Sequence, residues 1–194
     1  MSRNSAILVK RIFIALKIEP GTKLAEILQS LKALAAEEKI NWVDPVNIHI
    51  TLAFLGDTEE DRIKIAGLLL KRECSGFGEF TFMLKGAGLF RNFRDPRIIW
   101  IGIAEPEALI RLNEKIATGL RDTGFRIEDR PFKPHITIGR IKLLKKPEIL
   151  KSFLDKYGEV EIQEVNVREV ILFESILRPS GPIYKPIGRF TLAS

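Results

Sequence analysis

The sequence predicts an α+β protein with two β-rich lobes, each carrying helices on its outer side. Three observations lead to this prediction. Segments with strand-like alternation and segments with helical spacing follow one another along the whole chain. Landmarks of the first half return in the second half at an offset of 86 residues (135 − 49). The length of 194 residues and the 45% hydrophobic content suit one domain or two intimately packed lobes.

In the first half, the pattern predicts a strand, a helix, a strand, a helix and a strand. Leu24, Ile27, Leu28 and Leu31 recur at helical spacing, whereas Gly56 is expected to stop the second strand. Asp57 or Thr58 is expected to cap the second helix. The predicted ranges are 11–17, 20 to about 37, 48–55, up to about 72, and 80–84, with 42–47 as a loop.

The second half repeats this order and adds a last strand. A proline-rich segment at 130–134 leads into the strand that carries the second histidine. The predicted ranges are a strand at 98–103, a helix at 106–121, a strand at 135–141, a helix at 147–157, and strands at 165–173 and 183–192.

The repeat indicates a single bilobal domain with an internal duplication. The run at 12–20 aligns with the run at 98–106, and both end in Glu-Pro. Pro45 aligns with Pro131, each four residues before a histidine. We expect about 11–75 to correspond to about 97–161, with the register lost beyond that point.

Composition limits the function classes. A net charge of +6 favours an anionic partner such as RNA, DNA or a phosphorylated small molecule, although a merely basic protein is an equal alternative. The single Cys74 excludes an intramolecular disulfide and a cysteine metal cluster, and we expect neither a metal nor a cofactor. The apolar run at 12–16 is cut by Lys17 and is too short to span a membrane, so a cytoplasmic protein is expected.

Both histidines of the chain lie in the tripeptide His-Ile-Thr, as His49–Thr51 and His135–Thr137. In a strand, residues i and i+2 share a face, so each strand presents an imidazole beside a hydroxyl. Two such strands across a cleft would let the hydroxyls bind a phosphate while one imidazole accepts a proton and the other donates one. A single histidine on a strand is more often structural. Here two copies of the motif lie in register and contain every histidine of the chain, which favours a functional role.

The surroundings of these motifs resemble a known family. The sequences HITLAFLG at 49–56 and RPFKPHITIGR at 130–140 resemble those of RNA 2′,3′-cyclic phosphodiesterases. This family, also called the 2′-5′ RNA ligase family, belongs to the two-histidine phosphoesterase superfamily. The resemblance runs nearly end to end and implies a bilobal two-histidine phosphoesterase fold with a central cleft.

The resemblance also implies an activity, which is metal-independent hydrolysis of a terminal 2′,3′-cyclic phosphate to a 2′-phosphate. It implies His135 as the base that activates water and His49 as the acid that protonates the leaving oxygen, although the near-symmetry of the sequence does not decide between them. By the same resemblance, Thr51 and Thr137 hold the phosphate, Phe54 stacks on the terminal base, and Arg140 contacts phosphate. Arg130 either binds phosphate or braces the proline-rich loop.

Strand parity raises a question about two of these residues. Phe54 and Arg140 each lie five residues after a histidine, which is the opposite face of a regular strand. They reach the cleft only if the strand bulges or ends before them.

Several alternatives stay open at this stage. The same site could run in reverse as a 2′-5′ ligase, or act on a small cyclic nucleotide or a 2′-5′ oligonucleotide. It could also belong to a nucleotide- or RNA-binding module without catalysis. A metallophosphoesterase is disfavoured because the sequence lacks the Asp and His ligands of such sites. The basic and aromatic segment at 90–97 is either a solvated loop, which we favour, or a grip on single-stranded nucleic acid. We expect a monomer whose partner is an RNA or nucleotide with a cyclic phosphate end.

Overall fold

The computed structural model describes residues 8–90, 96–179 and 181–193. The predicted α+β class is confirmed, because strands and helices alternate along these residues as two antiparallel sheets with four α-helices. The elements are β1 (Val9–Lys17), α1 (Thr22–Leu34), β2 (Lys39–Trp42), a 3₁₀ turn (Pro45–Asn47), β3 (His49–Glu59), α2 (Glu60–Cys74), β4 (Phe80–Phe90), β5 (Ile98–Ala104), α3 (Glu107–Asp122), β6 (Ile136–Leu143), α4 (Pro147–Tyr157), β7 (Glu161–Val167), β8 (Glu169–Ile176) and β9 (Ile183–Thr191).

Each sheet draws strands from both halves of the chain. The first sheet has the order β3-β1-β8-β9, and the second has the order β2-β6-β5-β4-β7. The chain therefore passes between the sheets several times, for example at Arg168 between β7 and β8. The predicted lobes exist as sheets, but neither lobe is built from one half of the sequence.

The main core lies between each sheet and the helices that pack on it. Helices α2 and α3 pack on the first sheet, whereas α1 and α4 pack on the second. In β1, Ile12, Ile14 and Leu16 point into this core. The alternate residues Phe13 and Ala15 point the other way and form a small apolar cluster with strand β8. This second face of the first sheet carries the histidine motif.

Strand pairing refines the alignment of the two halves. Ala15 of β1 pairs with Thr51, and Trp100 of β5 pairs with Thr137. The equivalent residues of these strands therefore differ by 85 (100 − 15), one less than the offset of the histidine motifs. The alignment of 12–20 with 98–106 is one residue out of register, and such a slip exchanges the two faces of a strand. That residues 11–75 and 97–161 are copies of one plan stays a prediction.

Two predicted element boundaries around Gly56 are wrong. Strand β3 continues through Gly56 to Glu59, so Gly56 does not stop it. Neither Asp57 nor Thr58 caps α2, because both lie within the strand, and α2 begins at Glu60 without a side-chain cap. The Thr58 hydroxyl donates instead to the Gly56 carbonyl.

Three further differences concern strands. The short strand β2 lies between the predicted helix and the predicted loop, where the sequence predicts no strand, because its four residues are too few for alternation to be recognised. Strand β4 runs on to Phe90 through two glycines. One of them, Gly88, lies under the indole of Trp100, where a Cβ atom would sit 2.0 Å from a ring carbon. The range 165–173 contains the end of β7 and most of β8, which belong to different sheets.

Candidate active site

The first histidine, His49, opens β3 directly after the 3₁₀ turn. Its Nδ1 lies 2.6 Å from the Asn47 carbonyl oxygen. A carbonyl only accepts, so Nδ1 carries the proton and donates, which leaves Nε2 as the reactive nitrogen. Nε2 lies 3.1 Å from the Thr51 hydroxyl. The predicted pairing of imidazole and hydroxyl on one strand face is therefore present.

Aromatic rings enclose His49 on the cleft face of the first sheet. The ring of Phe13 is centred 5.1 Å away, and the ring of Tyr184 stands edge-on at 5.2 Å with an interplanar angle of 88°. Phe13 and Tyr184 also contact each other at 4.8 Å. These contacts hold the imidazole in place and exclude water from two of its sides.

The second histidine, His135, is held by the same local device. Its Nδ1 lies 2.7 Å from the Lys133 carbonyl oxygen, two residues earlier, so Nε2 is again the reactive nitrogen. His135 lies one residue before β6. The ring of Phe90 packs edge-on against it at 4.7 Å and 87°.

Strands β3 and β6 contact each other, which brings the two motifs into one site where their charges interact. Burial lowers the pKa of His49, and the nearby charges of Arg140 and His135 lower it further, against the raising effect of the Asn47 carbonyl. Burial also lowers the pKa of His135, with a further lowering by Arg140. Both imidazoles therefore favour the neutral form at pH 7 while the site holds no anion.

Matching β-bulges answer the parity question for Phe54. Along β3, Ile14 pairs with Ala53 and Ala15 pairs with Thr51, which leaves Leu52 as the extra residue. Leu52 and Ala53 are consequently both buried, and Phe54 turns out of the core with 43% of its surface exposed.

The same irregularity occurs in β6. Ile99 pairs with Gly139 and Trp100 pairs with Thr137, so Ile138 is the extra residue. Arg140 thereby reaches the face of Thr137 and is exposed. The structure thus places Phe54 and Arg140 on the cleft faces of their strands.

The remaining predicted residues have different surroundings. Thr137 is half-buried on β6 beside Trp100. Arg130 lies in the exposed loop before His135, where its guanidinium pairs with Glu128. A phosphate-binding role for Arg130 gains no support from this local ion pair and stays a prediction.

Sequence reasoning missed Tyr184 and Arg11. The Arg11 guanidinium lies 4.8 Å from the centre of the Phe54 ring. Burial raises the pKa of Tyr184, while the charges of Arg140 and Arg11 lower it. The charges of Arg140 and Arg11 therefore both reach Tyr184. Its position beside His49 follows from the placement of β9, for which the sequence offers no local signal.

Within the described ranges, no group of three or more His, Cys, Asp or Glu residues is arranged to hold a metal ion. Residues 91–95 of the basic and aromatic segment lie outside those ranges. None of the described helices has the length and apolar content needed to cross a membrane.

A known protein family matches both halves of this chain. The family model described as LigT like Phosphoesterase matches residues 16–100 and again residues 101–184. The chain belongs to the LigT-like phosphoesterase family. Each match contains one His-Ile-Thr motif, so the LigT-like family pattern covers both histidines of the site. The predicted family is confirmed.

Named relatives of this LigT-like phosphoesterase support the assignment. An RNA 2′,3′-cyclic phosphodiesterase of Archaeoglobus fulgidus is 36% identical over 180 residues, which cover 93% of this chain and 99% of that protein. The protein of the same name from Methanothermobacter thermautotrophicus is 32% identical over 184 residues, which cover 94% and 98%.

Solved structures of this LigT-like fold confirm the predicted bilobal architecture. The crystal structure of TT0787 of Thermus thermophilus has a TM-score of 0.78 at 27% identity and covers 94% of this chain and 97% of that one. The crystal structure of E. coli LigT complexed with 3′-AMP has a TM-score of 0.73 at 26% identity and covers 96% and 100%.

Proposed function

We propose that this protein hydrolyses the 2′,3′-cyclic phosphate at the 3′ end of RNA to a 2′-phosphate, without a metal ion. The observation that carries the proposal is the pair of imidazoles in one site. In each, a backbone carbonyl fixes the proton on Nδ1 and leaves Nε2 to react. The relatives described above are named RNA 2′,3′-cyclic phosphodiesterase, which supports the substrate and the reaction class.

The reaction needs one neutral and one protonated histidine. His135 Nε2 takes a proton from a water molecule as the water oxygen attacks phosphorus. The P–O3′ bond breaks, and the protonated Nε2 of His49 donates its proton to the departing O3′. The products are a 2′-phosphate and a free 3′-hydroxyl, and proton exchange with solvent resets both imidazoles. Each proton transfer contributes roughly 10²–10⁴-fold to the rate.

The assignment of acid and base follows the family roles, because the geometry at the two Nδ1 atoms is nearly the same. In the free site both imidazoles favour the neutral form, and bound phosphate favours protonation of one of them. Its negative charge raises the pKa of a neighbouring imidazole, which opposes the lowering by burial and by Arg140. The substrate thereby helps to protonate the acid that cleaves it.

Binding groups surround the reacting phosphorus. The hydroxyls of Thr51 and Thr137 and the guanidinium of Arg140 donate to the non-bridging oxygens, whose charge grows in the transition state. At the other end of the site, Phe54 offers a ring for stacking on the terminal base, and Arg11 lies over that ring. This asymmetry suits a nucleotide, which has phosphate at one end and a base at the other.

RNA is the proposed polymer, and a monomer is the proposed active species. Reverse ligation through the same groups is a secondary activity that hydrolysis dominates in water. A nucleotide-binding module without chemistry is not favoured, because the relatives are named as enzymes.

The test is turnover of a short RNA with a 2′,3′-cyclic phosphate end in the presence of EDTA. The wild-type protein and the Lys64→Ala control on the outer side of α2 should hydrolyse it equally. His49→Ala and His135→Ala should each lose roughly 10²-fold or more in kcat. Full activity in either histidine variant, or activity in the wild type that EDTA abolishes, would refute the proposal.

A further inference from the structure

The place of Phe54 depends on the bulge at Leu52. In a regular strand, Phe54 would lie on the face of Ile50, which is buried in the core. The extra residue in β3 turns Phe54 to the face of His49 and Thr51. Whatever stabilises the bulge therefore also decides whether a ring is available for a base.

A buried side chain from the second half of the chain meets this bulge. Asn113 lies on α3, among Leu109, Leu112 and Ile116, and is only 7% exposed. Its amide Nδ2 donates to the Leu52 carbonyl oxygen at 2.7 Å. A polar side chain within an apolar helix face is retained only where its hydrogen bonds are satisfied, and here the bond falls on the extra residue of the bulge.

The second bulge shows what this bond replaces. Ile138, which lies 86 residues after Leu52, accepts a hydrogen bond at its carbonyl from the backbone N–H of Val43 at 3.0 Å. Val43 directly follows β2, the strand beyond β6 in the second sheet. In the first sheet, β3 is the edge strand, and among the described residues no strand lies beyond it. The Asn113 amide thus donates to Leu52 at the first bulge, as the backbone N–H of Val43 donates to Ile138 at the second.

We propose that Asn113 is a positioning residue that holds the β3 bulge and thereby presents Phe54 to the terminal base of the substrate. The inference rests on the proposed function, because it concerns the base end of that same site. Asn113 does not touch the reacting atoms. Its loss should weaken recognition of the base without changing the chemistry at phosphorus.

The test compares two substrates in the wild type and in variants of Asn113 and Phe54, with one stability control. One substrate is adenosine 2′,3′-cyclic phosphate, and the other is the base-free methyl riboside 2′,3′-cyclic phosphate. Asn113→Leu keeps the branched shape but removes the donor, and Asn113→Ala removes the donor without adding bulk. Ile116→Ala, which leaves a cavity on the same face of α3, is the stability control.

Asn113→Leu should lower kcat/KM for the nucleotide about tenfold, as Phe54→Ala should, because base stacking on an aromatic ring is worth on that order. The lower kcat/KM should come from a higher KM, with kcat unchanged. Asn113→Leu should turn over the base-free substrate as fast as the wild type does. The double variant Asn113→Leu/Phe54→Ala should be no worse on the nucleotide than either single variant. Equal losses on both substrates, or additive losses in the double variant, would overturn the proposal.

Hydrogen exchange tests the role of Asn113 independently of the proposed activity. The amides of residues 50–55 should exchange faster in Asn113→Leu and Asn113→Ala than in Ile116→Ala of matched melting temperature. Unchanged exchange in that segment would overturn the role of Asn113 even in an active enzyme. If the wild type turned over neither substrate, the proposed function would fail, and the exchange measurement would still decide whether Asn113 holds the bulge.

Discussion

Replacing Tyr184 with alanine should raise the pKa of His49 and destabilise the protein. Tyr184 stands edge-on to His49 and packs against Phe13, so its ring keeps water from the imidazole. Burial is the largest cause of the lowered His49 pKa. Removing the ring admits water, which stabilises the charged imidazolium and moves the pKa upward, towards its ordinary value.

The cost in stability follows from the edge-to-face contacts of Tyr184 with Phe13 and His49. Edge-to-face aromatic pairs contribute about 0.5–1.5 kcal/mol each beyond their buried area, so two pairs amount to about 1–3 kcal/mol. For a chain of this size, each kcal/mol lowers the melting temperature by about 2–4 °C. Tyr184→Phe keeps the ring and removes only the hydroxyl, so it should retain both the melting temperature and the His49 pKa.

NMR titration of the histidine rings and pH profiles of kcat/KM would check this prediction. If His49 is the proton donor, its higher pKa in Tyr184→Ala keeps it protonated to higher pH. The descending limb of the profile should therefore move to higher pH in Tyr184→Ala and stay in place in Tyr184→Phe. An unchanged His49 pKa in the alanine variant, or an equal rise in the phenylalanine variant, would refute the reasoning.

Three further predictions concern separate parts of the molecule. Arg140→Met should raise KM about 10-fold or more without lowering the melting temperature, because an exposed charged hydrogen bond to substrate is lost; steady-state kinetics that gave an unchanged KM with a lower melting temperature would contradict this. Glu38 is buried and accepts backbone N–H bonds from Lys145 and Lys146 at the start of α4. Glu38→Gln should therefore lower the unfolding free energy in urea by about 1–3 kcal/mol, with little change for the exposed Glu37→Gln, whereas equal losses would argue against a stabilising role of these backbone hydrogen bonds. Burial raises the pKa of the Cys74 thiol to about 12, so alkylation at pH 8 should need unfolding, and rapid labelling of the native protein would speak against this burial.

The sequence predicts the residues of the site because their arrangement is local. Histidine and threonine two residues apart share a strand face whatever the rest of the fold does. The His49–Thr51 motif follows this rule in the structure, whereas His135 lies one residue before β6. The bulges have a weaker local signal. Leu52-Ala53 and Ile138-Gly139 are adjacent buried pairs that interrupt the alternation, and each second member is small. An interrupted alternation indicates a bulge only when the sheet partner is known.

The parts that sequence reasoning missed depend on pairing between distant segments. Tyr184 reaches His49 because β9 joins the first sheet beside β8, and nothing near Tyr184 in the sequence specifies that neighbour. Strand β2 and the crossing between sheets at Arg168 also depend on pairing with strands that are distant in the sequence. In the sequence, Gly88 is typical of the end of a strand, because the ring that requires its small size belongs to Trp100 on the next strand.

The most direct test of a two-histidine cyclic phosphodiesterase is the identity of its product. A short RNA ending in a 2′,3′-cyclic phosphate would be incubated with the protein in EDTA, and the phosphorus NMR spectrum of the product recorded. The account predicts a 2′-phosphate monoester with a free 3′-hydroxyl, formed by cleavage of the P–O3′ bond. A 3′-phosphate would contradict the assigned leaving oxygen, and an unchanged cyclic phosphate would contradict the activity itself.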